Sequence, residues 1–132
     1  MQRDDANAPT SDSIEALALK AAAIGLDKKA EEPLILDVRE LTSYADFFVV
    51  LSGTNERQVV AIAEGIARGL REEGHRHLGM EGADQGRWVL IDYGDFLVHV
   101  FHQEQRPIYD LEGLWADARR VEVPGAPPPR PF

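Results

Sequence analysis

Gly53-Thr54 follows an apolar run and opens a predicted helix. At such a place a nucleotide-transferring enzyme holds a phosphate against backbone N–H groups and the positive helix end. That chemistry also needs two or three carboxylates converging on Mg²⁺, commonly an Asp-x-Asp or Asp-x-Glu pair on the following strand. No such pair follows the helix expected at Asn55–Arg71, and Asp92 and Asp95 stand astride a turn, where they would diverge. A tight turn accounts for Gly53 on its own. The histidines, His75, His77, His99 and His102, are spaced H-x-H and H-x-x-H without an acidic ligand pattern, which points to no metal site. Ser52-Gly53 lacks the G-x-S-x-G setting of a nucleophile elbow. The sequence has 0 Cys, which excludes a catalytic thiol, a thiolate-ligated metal and a disulfide framework. No catalytic residue and no cofactor is expected.

Binding is better served. Along a strand Trp88, Leu90 and Asp92 share one face while Val89 and Ile91 take the other. On one reading Trp88 belongs to the core and Asp92 and Asp95 shape a turn. On the other, Trp88 is an anchor that fills a groove on a partner, rimmed by carboxylates that meet its Lys and Arg. His99 alternates with Val98 and Val100 and shares a face with Leu97 and Phe101, a setting for a half-buried, hydrogen-bonded imidazole rather than for chemistry.

The elements that must position these groups are legible from periodicity. Asp12 with Glu15 resembles a capping box, Ile14, Leu17, Ala18, Ala21 and Ile24 keep helical spacing, and Gly25 offers a stop. Leu34–Val38 is a short β-type run, and Thr42–Ala45 a turn or a single helical turn. Asp46–Ser52 is apolar enough for a central strand covered on both faces. Asn55 and Gln58 cap a helix with the stripe Val59, Ile62, Ala63, Ile66 and Leu70, closed by Gly74. His77–Met80, Arg87–Asp92 and Phe96–His102 read as strands, the last two joined by a hairpin at Tyr93-Gly94-Asp95. Pro107 opens a last helix with Leu111, Leu114, Trp115 and Ala118 facing inward. The order predicts an α/β sandwich: a mixed β-sheet of about five strands with packed helices. Residues 1–11 read as a disordered polar tail, 12–122 as one folded domain, and 123–132 as a Pro-rich tail unable to build a core.

Charge bounds the partners. The 132 residues carry 14 Lys+Arg against 23 Asp+Glu, a net charge of −9. Such a surface repels phosphate backbones and anionic lipid and attracts basic proteins. The only lysines are Lys20, Lys28 and Lys29, so nucleic acid finds no basic stripe to follow. Between residues 81 and 117 stand Glu81, Asp84, Asp92, Asp95, Glu104, Asp110, Glu112 and Asp117 against Arg87 and Arg106. That acidic field either keeps the domain soluble or forms half of an electrostatically steered contact. The longest apolar run, Phe47–Leu51, is far short of a membrane span, and the polar start is unlike a signal peptide. A soluble, cytoplasmic domain with no membrane partner is expected.

Three blocks then become recognisable: Asp46–Val59 (D-F-F-V-V-L-S-G-T-N-E-R-Q-V), Glu81-Gly82 with Trp88–Phe101, and Arg106–Trp115. In this order and spacing they closely resemble the ribosomal silencing factor family, also called the Iojap family, from roughly Ile14 to Val121. The resemblance implies a fold like a nucleotidyltransferase domain without its active site, and a homodimer when free. It implies binding to a basic protein of the large ribosomal subunit, the fourteenth large-subunit protein. It also implies steric blocking of subunit joining and lowered translation when nutrients are scarce. It favours the binding reading for Glu81, Trp88, Asp92, Tyr93, Asp95, His99, Tyr109 and Glu112. Ile108 and Gly113 depart from the family's usual residues. The competing readings are a nucleotidyltransferase-like enzyme and a generic acidic dimeric adaptor.

Overall fold

The computed structural model describes residues 11–126. The first helix, α1 (Ser11–Asp27), runs two residues past Gly25 and contains Asp12 rather than starting after it. Its end is set by Lys29, which takes the left-handed conformation (φ 70°) while Ala30 N–H donates to the Gly25 carbonyl at 2.9 Å. Gly25 serves packing instead, because a Cβ there would lie 2.9 Å from Leu51 Cδ1. The second long helix, α2 (Glu56–Glu72), starts and stops as its sequence predicts. Asn55 accepts from Gln58 N–H, and Gly74 closes the end with φ +93°.

The strands are β1 (Glu31–Asp37), β2 (Phe47–Gly53), β3 (Gly79–Glu81), β4 (Trp88–Asp92), β5 (Phe96–His102) and β6 (Arg119–Val121). They form one six-stranded sheet in the order β3-β4-β5-β2-β1-β6, with β2 and β5 parallel and the other neighbours antiparallel. The sheet has one strand more than the expected five. β6 was invisible because its residues include two exposed arginines, and only its pairing with β1 (Ile35 opposite Val121) makes it a strand. β2 is buried at every position, as a strand covered on both faces must be.

Both long helices pack on one face of the sheet. Ile14, Ala18, Ala21 and Ala22 of α1 join Val59, Ile62, Ile66 and Leu70 of α2 over Ile35, Val49, Leu51, Val89, Ile91, Val98 and Val100. Val123, expected in the C-terminal tail, is buried in this core, and Ala126 packs against it. Residues 1–10 and 127–132 of the expected tails lie outside the described residues.

The opposite face carries Leu36, Phe48, Val50, Leu97 and Phe101, covered by the segment after β5. That segment is not one helix. Two short turns, α3 (Arg106–Tyr109) and α4 (Leu111–Leu114), are separated by Asp110 in the left-handed conformation (φ 47°, ψ 57°), whose carboxylate then accepts from Gly113 N–H. The break redirects the second turn. Leu111 is buried and Trp115 and Ala118 pack against the sheet, but Leu114 points outward, 73% exposed.

Candidate partner-binding site

Strand register assembles the site. On the face away from the helices, Glu81, Leu90, His99 and Val50 stand in one row across β3, β4, β5 and β2, and Trp88, Phe101 and Ser52 in the next. Trp88 is half-buried. Its indole lies 5.0 Å from the Phe101 ring and 4.4 Å from Tyr109, the centroids of a continuous aromatic patch. Trp88 Nε1–H donates to His99 Nδ1 at 3.1 Å. The indole's one polar group is therefore satisfied inside the protein, and what remains outside is an apolar ring.

His99 is buried, and burial pulls its pKa down to about 4. A neutral imidazole that accepts at Nδ1 carries its proton on Nε2. That atom is buried without a hydrogen-bond partner among the described residues, and the ring sits edge-on to Phe48 at 5.4 Å. Phe48 in turn meets Trp115 edge-on at 5.2 Å.

Beside Trp88 opens a cleft of about 320 Å³ lined by Gly82, Asp84, Gln85, Arg87, Trp88, Gln105 and Tyr109. Two glycines of the loop beside it, of which Gly82 lines the cleft, leave no room for a side chain. A Cβ on Gly82 would lie 2.0 Å from the Trp88 carbonyl oxygen and one on Gly86 2.6 Å from that of Glu56, and both have positive φ. Asp84 brings a carboxylate to the cleft, and Glu81 reaches the same face by its register opposite Leu90.

The other expected residues are placed differently. Asp92 accepts from Gly94 N–H at 2.7 Å and so shapes the hairpin. Asp95 is exposed, its backbone carbonyl accepting from Asp46 N–H. Tyr93 leaves the patch altogether. Strand alternation sends it to the helix-covered face, where it stacks on Phe96 at 4.7 Å. Its buried hydroxyl lacks a partner among the described residues, and burial pushes its pKa up to about 12. Glu112 is engaged within the chain, pairing with Arg106 Nε at 3.1 Å. Tyr109, 43% exposed, does join Trp88.

Arg106 was not a candidate, and neither were Phe48 and Phe101. The aromatics lie on the apolar strands and read as core. Arg106 is buried, and Nη1 donates to the Glu32 carbonyl at 2.6 Å and to Ser52 Oγ at 2.8 Å. No local sequence signal marks it.

Gly53-Thr54 is occupied by local bonds. Thr54 N–H and hydroxyl both donate to Gln58 Oε1, at 2.6 and 2.8 Å, filling the helix entrance. Gly53 is needed for close packing rather than for a turn, since a Cβ would lie 2.9 Å from Val59 Cγ2. Among the described residues no group of three or more His, Asp or Glu is placed to hold a metal ion, and no helix is long and apolar enough to cross a membrane.

The fold and this face define an α/β domain with one helix-covered side and one aromatic, acid-edged side. The family described as "Ribosomal silencing factor during starvation" matches residues 10–131, and the chain belongs to it. It is similar to ribosomal silencing factors from Bacillus subtilis (47% identical, covering 78% of this chain and 87% of that one) and Halalkalibacterium halodurans (45% identical, 84% and 94%). A crystal structure of a protein from Chromobacterium violaceum superimposes with a TM-score of 0.74 at 34% identity, covering 88% of this chain and 93% of that one.

Proposed function

We propose that this chain is a non-enzymatic steric plug. It binds the large ribosomal subunit through a basic protein, the fourteenth large-subunit protein, and bars the small subunit from joining, so that translation falls when nutrients are limiting. The observation that carries the reading is the Trp88 indole, half-buried, with its N–H already bonded to His99 and its ring beside Tyr109. A rigid aromatic anchor of this kind concentrates binding energy, while acids around it govern approach to a basic partner. Family membership supports the ribosomal target. The net charge of −9 favours a protein contact over a nucleic-acid one. In the free state the chain is a homodimer, and its place of work is the cytoplasm.

The test is a sucrose-gradient joining assay with purified subunits. Excess protein is expected to keep the subunits apart. Trp88→Ala is expected to weaken large-subunit binding by about 2 kcal/mol or more, mainly by faster release. Normal joining under excess protein overturns the reading, and an unaffected Trp88→Ala variant overturns the patch.

A further inference from the structure

We propose that Arg106 is the positioning residue of the aromatic patch: by clamping the start of the α3–α4 segment to a bulge in β1 and to Ser52 of β2, it holds Tyr109 against Trp88 and withdraws Glu112 from the partner. This inference rests on the reading that the Trp88 patch is the ribosomal contact.

The acceptor for this clamp is built into β1. The register steps from Glu31 opposite Ser52 to Leu34 opposite Val50, so Glu32 and Pro33 face the single residue Leu51. Glu32 takes φ 49° and Pro33 has no N–H to give the ladder. The Glu32 carbonyl is thereby turned out of the sheet and accepts from Arg106, 74 residues away in sequence. Ser52 Oγ, itself buried, accepts from the same nitrogen, and Glu112 neutralises the charge. A guanidinium is buried only where acceptors of this number and charge meet it.

The clamp matters because the segment cannot hold itself. α3 and α4 are four residues each, too short for intrinsic helical stability. Leu111 and Trp115 pin its far end to the sheet. Arg106 pins the near end, and Tyr109 lies between the two. Glu112, with its carboxylate on Arg106, offers a partner no free charge.

The experiment uses a Trp115→Phe background, which leaves Trp88 as the sole indole. Arg106→Gln in this background is expected to red-shift Trp88 emission and make it more quenchable by acrylamide, with the far-UV circular dichroism of the fold retained. Large-subunit binding is expected to weaken about tenfold. Tyr109→Ala should weaken binding by a similar factor, and the double variant by no more than the larger single loss, because Arg106 acts through Tyr109. If Arg106→Gln does not fold, Arg106→Lys is read in the same way, with quenching between wild type and Tyr109→Ala. Unchanged Trp88 quenching in the folded variant, or binding losses that multiply, overturn the clamp. If Trp88→Ala and Tyr109→Ala both bind normally, the patch reading fails instead, and Trp88 quenching still decides whether Arg106 sets the ring.

Discussion

The two faces of this sheet are built by different rules. Beneath α1 and α2 the strands contribute only Ile, Leu, Val and Phe to the buried layer, and two glycines of α2 let its neighbour come close. A Cβ on Gly69 would lie 2.7 Å from Ile24 Cδ1, and one on Gly65 2.8 Å from the Lys28 stem. The other face exchanges that uniformity for polar groups. His99, Ser52 and Arg106 are buried there, and Trp88 and Tyr109 remain partly open. Each buried polar group costs desolvation that an apolar side chain would not. A face that carries such a cost while leaving aromatic rings exposed fits the proposed contact, and the helix-covered face supplies the stability that offsets it.

Substitutions that separate the faces sharpen this contrast. Leu70→Ala, in the helix-covered core, is expected to destabilise the protein by about 2–5 kcal/mol in a denaturant melt. Large-subunit binding of the folded fraction should be unchanged. An equal loss of binding at low denaturant would dissolve the division of labour.

On the open face the largest expected stability effect is one of pH. His99 has a folded pKa of about 4 against 6.5 for the free side chain, so the unfolded chain binds the extra proton between these values. Stability is complete above pH 6.5 and declines as pH falls toward 4, by roughly 3 kcal/mol at most. His99→Gln should abolish that slope in melts recorded across this range. If the slope survives, the acid sensitivity belongs to another group.

Tyr93 tests which face matters for binding. Its buried hydroxyl has no partner among the described residues, so Tyr93→Phe should be neutral or stabilising by about 1 kcal/mol. The variant should bind large subunits like the wild type. Weakened binding would return Tyr93 to the contact.

The smallest effect belongs to the margin of the helix-covered face. Asp37 accepts from Arg39 Nε at 2.9 Å and from Arg119 Nη2 at 2.9 Å, and Arg119 also reaches Glu15 of α1 at 3.0 Å. The Arg39 hydrogen bond is the main cause that lowers the Asp37 pKa from 3.8 to about 2. Its contribution is present above pH 3.8 and lost as pH falls through about 2. Asp37→Asn should cost about 1 kcal/mol at neutral pH, less in high salt, because the arginines that hold the carboxylate are exposed to solvent although the carboxylate itself is largely covered. A salt-independent loss would show that the carboxylate acts by packing.

Long apolar patterns were readable in the sequence: β2, β5 and α2 fall within a residue or two of where their periodicity puts them. What escaped depends on distant partners. β6 exists through β1, the Glu32 bulge is defined only against β2, and Asp110 breaks a helix that Pro107 opens acceptably. The site divides in the same way. Alternation along β4 already separates Trp88 from residue 93, so the position of Tyr93 was available without coordinates. The Trp88–His99 bond needs the β4–β5 register, and the Arg106 clamp needs three segments far apart in sequence. Gly113 illustrates the limit. A Cβ there would fall 2.2 Å from Asp110 Oδ2, so the glycine is tied to a local cap that periodicity does not reveal.

The outermost strands, β3 and β6, are three residues each, and β6 faces water with Arg119 and Arg120. Brief borders of this kind give a neighbouring chain few main-chain groups to zip onto. The sheet therefore resists being lengthened into a fibre or a continuous intermolecular ribbon.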